Sequence, residues 1–319
     1  MTKLAPSISA LLLSLPLVAC DFGSSTDTQG SAGSPPVQAG GTPSSSGGAT
    51  GAGGTTAAKG GATSTSTNAT GGSTSTGPSG FGTPMQQGLG STPERYAKAD
   101  VIRNGVNYRF MANGWGPGFQ SQSVSWSGTS FTVVSMEGKQ GGNWEPASYP
   151  TTFCGVYSDD QSQSCGLPKA IADIKSLRTG WRWSANGNTN QYNAAYDIWL
   201  GDGNTVSTHR SFLMVWLRDP QGQQPAGSKK LNTVQVANVQ GTWDVWVGVV
   251  GGKPCISYAR PEGQDLPELE FDVMDFIRDV KTRSIDAPGS TVLSVAVGFE
   301  IWNGPITNLK SEDFYVDVK

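Results

Sequence analysis

An all-β sandwich or barrel carrying a single late helix is the fold this sequence predicts, and three observations carry it. Short alternating or β-branched runs recur from about residue 91 to 319 with turn residues between them. Only one segment in that span switches to apolar spacing of three and four residues. Ahead of it lies a stretch almost without large apolar side chains, which cannot take part in any core.

Taken in chain order, the first element is MTKLAPSISALLLSLPLVAC. One lysine, an apolar run over 4–19 and small residues before Cys20 have the layout of a signal peptide over 1–19, too short for a permanent span. Leu17, Val18, Ala19 and Cys20 also match the lipobox of bacterial lipoproteins, in which Cys20 is lipidated after cleavage; the alternative is an ordinary secretory peptide with an incidental cysteine. The expectation is an extracytoplasmic protein held to a membrane, at its periplasmic face or the cell surface, through acyl chains on Cys20. Residues 20–90 are mainly Gly, Ser, Thr, Ala and Pro, with no aromatic between Phe22 and Phe81. Burial of so little apolar surface does not offset ordering entropy, so this segment reads as a disordered tether.

Residues 91–319 are long enough for one large β domain. Strands are expected at VNYRFMAN, QSVSW, SFTVVSM, GWRWSA, YDIWLG, FLMVWL, NTVQVAN, WDVWVGVV, CISYAR, VLSVAVGFEIW and DFYVDV. The exception is LEFDVMDFIRDVKTRS, where Phe271, Met274, Ile277 and Val280, with Val273 and Phe276, define the apolar stripe of a helix after Pro267. All ten tryptophans fall in this part, beginning at Trp115. A net charge of −3 without any Lys/Arg cluster argues against a nucleic-acid partner. Many aromatics and little charge suit a neutral, ring-shaped ligand.

Cys154 and Cys165 bracket a polar loop that an oxidising compartment lets them close, worth about 2–3 kcal/mol by chain entropy. Cys255 is then left over and reads as a buried thiol in a strand. With His209 the single histidine, a His-based metal site or a Ser-His-Asp triad has little support, and no metal is expected.

Seven motifs in order carry a family resemblance: ANGWG at 112–116, YDIWL at 196–200, LMVWL at 213–217, QPAG at 224–227, WDVW at 243–246, FDVMDFIR at 271–278 and GFEIWNG at 298–304. Together they resemble glycoside hydrolase family 12, the β-jelly-roll endo-β-1,4-glucanases and xyloglucanases. The resemblance covers essentially all of 91–319, and the Cys154 to Cys165 loop matches a disulfide loop of that family. It implies a two-sheet, concanavalin-like jelly roll with the helix on the convex side and an open cleft for a β-glucan chain. It also implies two facing carboxylates for a retaining reaction and no cofactor; a monomer is expected.

In that resemblance Glu300 stands at the acid/base position. Strand alternation puts Glu300 and Trp302 on one face and Phe299 and Ile301 on the other. At the nucleophile strand the family reads Glu, apolar, Met, apolar, Trp, whereas this chain reads Phe212, Leu213, Met214, Val215, Trp216. A phenyl ring cannot attack an anomeric carbon, so the double displacement has no first step. Asp197 resembles a supporting carboxylate, and an inverting reaction through it would need roughly 6.5–9.5 Å between carboxyls. Asp219 lies at odd separation from Phe212, which regular pleating sends to the other face. For binding, Asn113 and Trp115 match early cleft residues, with Ala112 in place of a preceding Asn. Met214, Trp216 and Trp302 join them. Trp181 and Trp183 share one face of GWRWSA as further stacking platforms or as core. Ala226 replaces a larger apolar residue in the loop that closes over the chain.

The expected protein is thus a β-1,4-glucan recogniser with impaired hydrolysis; the alternative is an active endoglucanase using Glu300 and a substitute acid such as Asp197.

Overall fold

The computed structural model of the protein describes residues 80–319 except 143 and 190. The expected signal peptide, Cys20 and most of the tether lie outside the described residues. The folded body begins before the compositional boundary at 90: Gln86–Gln87 and Leu89–Thr92 are strands, and Phe81 packs edge-on against Tyr315. Composition placed 80–90 in the tether because so few of its side chains are apolar. It is recruited by backbone pairing, which side-chain hydropathy does not report.

Two sheets form the sandwich. The larger runs, edge to edge, through Gln86–Gln87, Lys98–Arg103, Val106–Met111, Thr151–Tyr157, Thr291–Gly298, Ala194–Gly201, His209–Arg218, Lys253–Ala259, Thr242–Val250 and Ser228–Gln235. The smaller runs through Glu268–Asp272, Leu177–Ser184, Ile306–Val318, Ser130–Gly138, Phe119–Ser127 and Leu89–Thr92. Pairing is antiparallel apart from His209–Arg218 against Lys253–Ala259, where Phe212 sits opposite Cys255. Strands buried on one face by the sandwich and on the other by a cleft explain the unbroken apolar run at 212–217. Leu213, Val215 and Leu217 point into the core between the sheets, while Phe212, Met214 and Trp216 point to the opposite face.

The helix occupies Val273–Thr282, shorter than the apolar spacing suggested. Leu269 and Phe271 belong instead to the Glu268–Asp272 strand, which pairs with Leu177–Ser184. Asp272 makes the switch, its Oδ1 accepting the Met274 N–H at 2.9 Å as an N-cap. Phe276 then packs against Trp243, Tyr258 and Phe271, on the core side of the larger sheet and away from the cleft.

Trp181 and Trp183 are core residues, which corrects their reading as stacking platforms. Both are buried and both lie against Phe299. Their indole N–H groups are spent inside the protein, on Ser311 Oγ at 2.9 Å and the Leu266 carbonyl at 2.8 Å. The alternation of GWRWSA put them correctly on one face; that face is the inner one of the smaller sheet.

Candidate active site

The outer face of the larger sheet presents a cleft whose floor comes from adjacent strands. His209–Arg218 supplies Phe212, Met214 and Trp216; Ala194–Gly201 supplies Asp197. Glu300 follows the Thr291–Gly298 strand, where Ile301 still bridges Ser148 and Tyr192 and so preserves the alternation. Trp115 forms one wall, and Tyr149, Tyr157, Val250 and Cys255 complete the lining.

Glu300 is half-buried and held by Asn193 in a reciprocal pair: the Asn193 amide donates to Glu300 Oε2, and Asn193 Oδ1 accepts the Glu300 backbone N–H at 2.9 Å. Burial pushes the carboxyl up to about 8; the Asn193 hydrogen bond opposes this and the Asp197 charge reinforces it. At neutral pH Glu300 therefore carries a proton it can donate. Asp197 is buried as well, and burial lifts it to about 6 against hydrogen bonds from Trp199 and Tyr157. Both of those reach one oxygen, Oδ2, at 3.0 and 2.8 Å. The other, Oδ1, is buried and accepts nothing among the described residues.

Phe212 lies in this cleft rather than in the core, 8% exposed. Its ring stands edge-on to His209 at 4.4 Å and to Trp199 at 5.6 Å, and it packs with Ala226, Val250 and Cys255. His209 stacks on Trp199 at 4.1 Å and is held neutral, burial pushing it down to about 4. Large ring and small neighbour thus occur together: Ala226 stands beside Phe212. Among the described residues Asp197 and Glu300 are the two carboxylates lining the cavity, whose volume is about 40 Å³. At about 10–15 Å³ per water that holds a few waters.

The predicted residues mostly converge. Trp115, Met214 and Trp216 line the cleft; Trp302 packs beside Trp216 at 5.8 Å, its indole N–H bonded to the Trp144 carbonyl at 2.8 Å. Asn113 sits two residues before Trp115 in a left-handed conformation (φ 45°), its carbonyl accepting the Tyr149 N–H. Asp219 stands past the strand end, away from the cavity lining, pushed by burial to about 7. The disulfide joins Cys154 to Cys165, and Cys255 is a buried free thiol. Asn193, Tyr149 and Tyr157 escaped sequence reasoning. Asn193 stands three residues before YDIWL, and the tyrosines lie in SYP and CGVY, next to motifs rather than within them.

A sandwich whose outer face carries a paired-acid cleft among tryptophans defines a glycosidase-type architecture. The chain belongs to glycosyl hydrolase family 12, which it matches over residues 106–319. Endoglucanase S of Pectobacterium parmentieri is 29% identical over 241 residues, covering 69% of this chain and 86% of that protein. Endoglucanase cel12A from Rhodothermus marinus superposes with a TM-score of 0.62 at 30% identity, over 72% of this chain and 98% of that one. The xyloglucan-specific endo-beta-1,4-glucanase A of Aspergillus niger is 23% identical over 150 residues, 47% of this chain and 61% of that protein.

Proposed function

We propose that this protein recognises β-1,4-glucan, of the cellulose or xyloglucan kind, without hydrolysing it. The observation that carries the reading is the Phe212 ring at the cleft floor beside Asp197, in a family whose reaction needs a carboxylate there. What supports ligand binding is the unsatisfied polar lining: Trp216 Nε1, a buried donor, and Asp197 Oδ1, a buried acceptor, both lack partners among the described residues. A polyol offers both complements at once, and pyranose CH faces pack on indoles such as Trp115. The chain would cross above Phe212 rather than seat a ring against it. Glu300, Trp115, Met214, Trp216 and Trp302 are assigned to contact or orient the glucan, Asn113 to hold its loop, and Cys20 to anchor the monomeric protein outside the cytoplasm.

One observation favours the rival reading: Glu300 and Asp197, two carboxylates, line the same small cavity. Affinity for cellohexaose and release of reducing ends, measured on the same preparation, separate the two. Binding without turnover is expected; turnover abolished by Glu300→Gln would establish the hydrolase instead. Neither binding nor turnover would remove glucan from the account altogether.

A further inference from the structure

The wall of the cleft that bears Trp115 is held by a residue upstream of the family match. Arg95 precedes residue 106, where that match starts, and follows the Leu89–Thr92 strand. Its guanidinium Nε donates to the Gly114 carbonyl and its Nη2 to the Gly116 carbonyl at 2.9 Å, the two carbonyls on either side of Trp115. Its own backbone carbonyl accepts the Gly114 N–H at 2.9 Å, so three bonds join one residue to one turn. Phe119 lies 4.6 Å beneath the guanidinium, and Tyr96 is 5.1 Å from it. Arg95 is in none of the ion pairs among the described residues. Its planar fork is committed to two carbonyls instead, a geometry an ammonium cannot reproduce.

The turn has little freedom to find another position once formed. A side chain at Gly114 would meet the Phe119 ring at 2.4 Å, and one at Gly116 would meet the Pro146 carbonyl at 2.0 Å. The Gly116 N–H is bonded to the Ala147 carbonyl at 2.9 Å. Trp115 is the half-buried residue at the apex, turned into the cleft that Glu300 also lines.

We propose that Arg95 is a positioning residue for Trp115, fixing the indole as a preformed platform so that its ordering is complete before a sugar arrives. The inference rests on the glucan reading for its ligand, though its structural half does not need one. Arg95 touches no ligand itself; it acts through the turn.

The test uses the full chain with Arg95→Met, Arg95→Lys, Trp115→Ala and the Arg95→Met/Trp115→Ala pair. In ligand-free protein labelled with ¹⁵N, the Trp115 indole N–H resonance, assigned by its loss in Trp115→Phe, is expected to broaden or split in Arg95→Met while the Trp216 and Trp302 resonances stay in place. Cellohexaose affinity should fall about tenfold in Arg95→Met, about 1.4 kcal/mol, less in Arg95→Lys, and no further when Arg95→Met is added to Trp115→Ala. An unchanged Trp115 resonance, or losses that add in the pair, would overturn the proposal. Should the unaltered protein bind no cellohexaose, the glucan reading fails while the resonance still decides the role of Arg95. If Arg95→Met does not fold, the lysine variant carries the same comparison.

Discussion

At the scale of single residues, a buried acid, a half-buried acid and one ring determine what the cleft can do. Replacing Phe212 with Glu sets a third carboxylate in the cavity that Asp197 and Glu300 line. Hydrolysis of an aryl β-cellobioside with retention is expected to appear, at a stability cost on the order of several kcal/mol for the poorly solvated charge. A folded Phe212→Glu protein without turnover would mean that more than the nucleophile has changed. Glu300 predicts a pH signature. Its folded value of about 8 exceeds the ordinary 4.5, so the native state binds more protons than the unfolded chain between those limits. Stability conferred on the protonated form is therefore full below about pH 4.5 and is lost as pH rises through 8. Relative to Glu300→Gln, the wild type should lose on the order of 2–4 kcal/mol across that window, less than the full shift at about 1.4 kcal/mol per unit because the half-buried side chain is partly screened by solvent, read from urea midpoints. A constant difference from pH 4 to 9 would mean that the carboxyl is not held neutral.

At the scale of elements, the strand-to-helix switch at Asp272 shows where periodicity stops being sufficient. Phe271 suits a helical stripe with Met274 and Ile277, yet it lies in a strand. Backbone pairing to Leu177–Ser184 claims residues up to 272, and the Asp272 side chain then satisfies a first-turn amide. Asp272 Oδ1 also accepts the Leu177 N–H at 3.2 Å, so the same carboxylate joins helix and smaller sheet. Asp272→Ala should cost about 1–2 kcal/mol, seen as a lowered urea midpoint with cellohexaose affinity preserved, since the helix packs away from the cleft. A loss of affinity with unchanged stability would contradict this division of labour. The tryptophans of GWRWSA teach the companion lesson: period-two alternation fixes which residues share a face and leaves open whether that face meets solvent or the other sheet.

At the scale of the whole molecule, residues 80–92 complete the sandwich. Phe81 packs on Tyr315 at 5.6 Å and lies under Arg182 at 4.5 Å, while the Gly80 N–H reaches Glu270 at 2.7 Å. Gln86 Oε1 accepts the Thr129 N–H, and Gln86–Gln87 pairs with Lys98–Arg103. A protein beginning at residue 91 should be less stable than one beginning at 80 by about 2–4 kcal/mol, the aromatic pair and lost backbone bonds together. Equal urea midpoints for the two would show that this segment merely lies on the surface.

By itself the sequence determined the β-rich body with one helix, which is written in local spacing and residue type, and its ordered motifs carried the family resemblance that singled out Glu300 and the Phe212 ring. Tertiary structure decided the rest: that Trp181 and Trp183 fill the core, that Asn193 holds Glu300, and that Tyr149, Tyr157, Val250 and Cys255 meet in one cleft. These residues are distant in the chain and are brought together by strand order. Desolvation, which pushes both acids upward, arises from the sum of such neighbours and has no counterpart in any local motif.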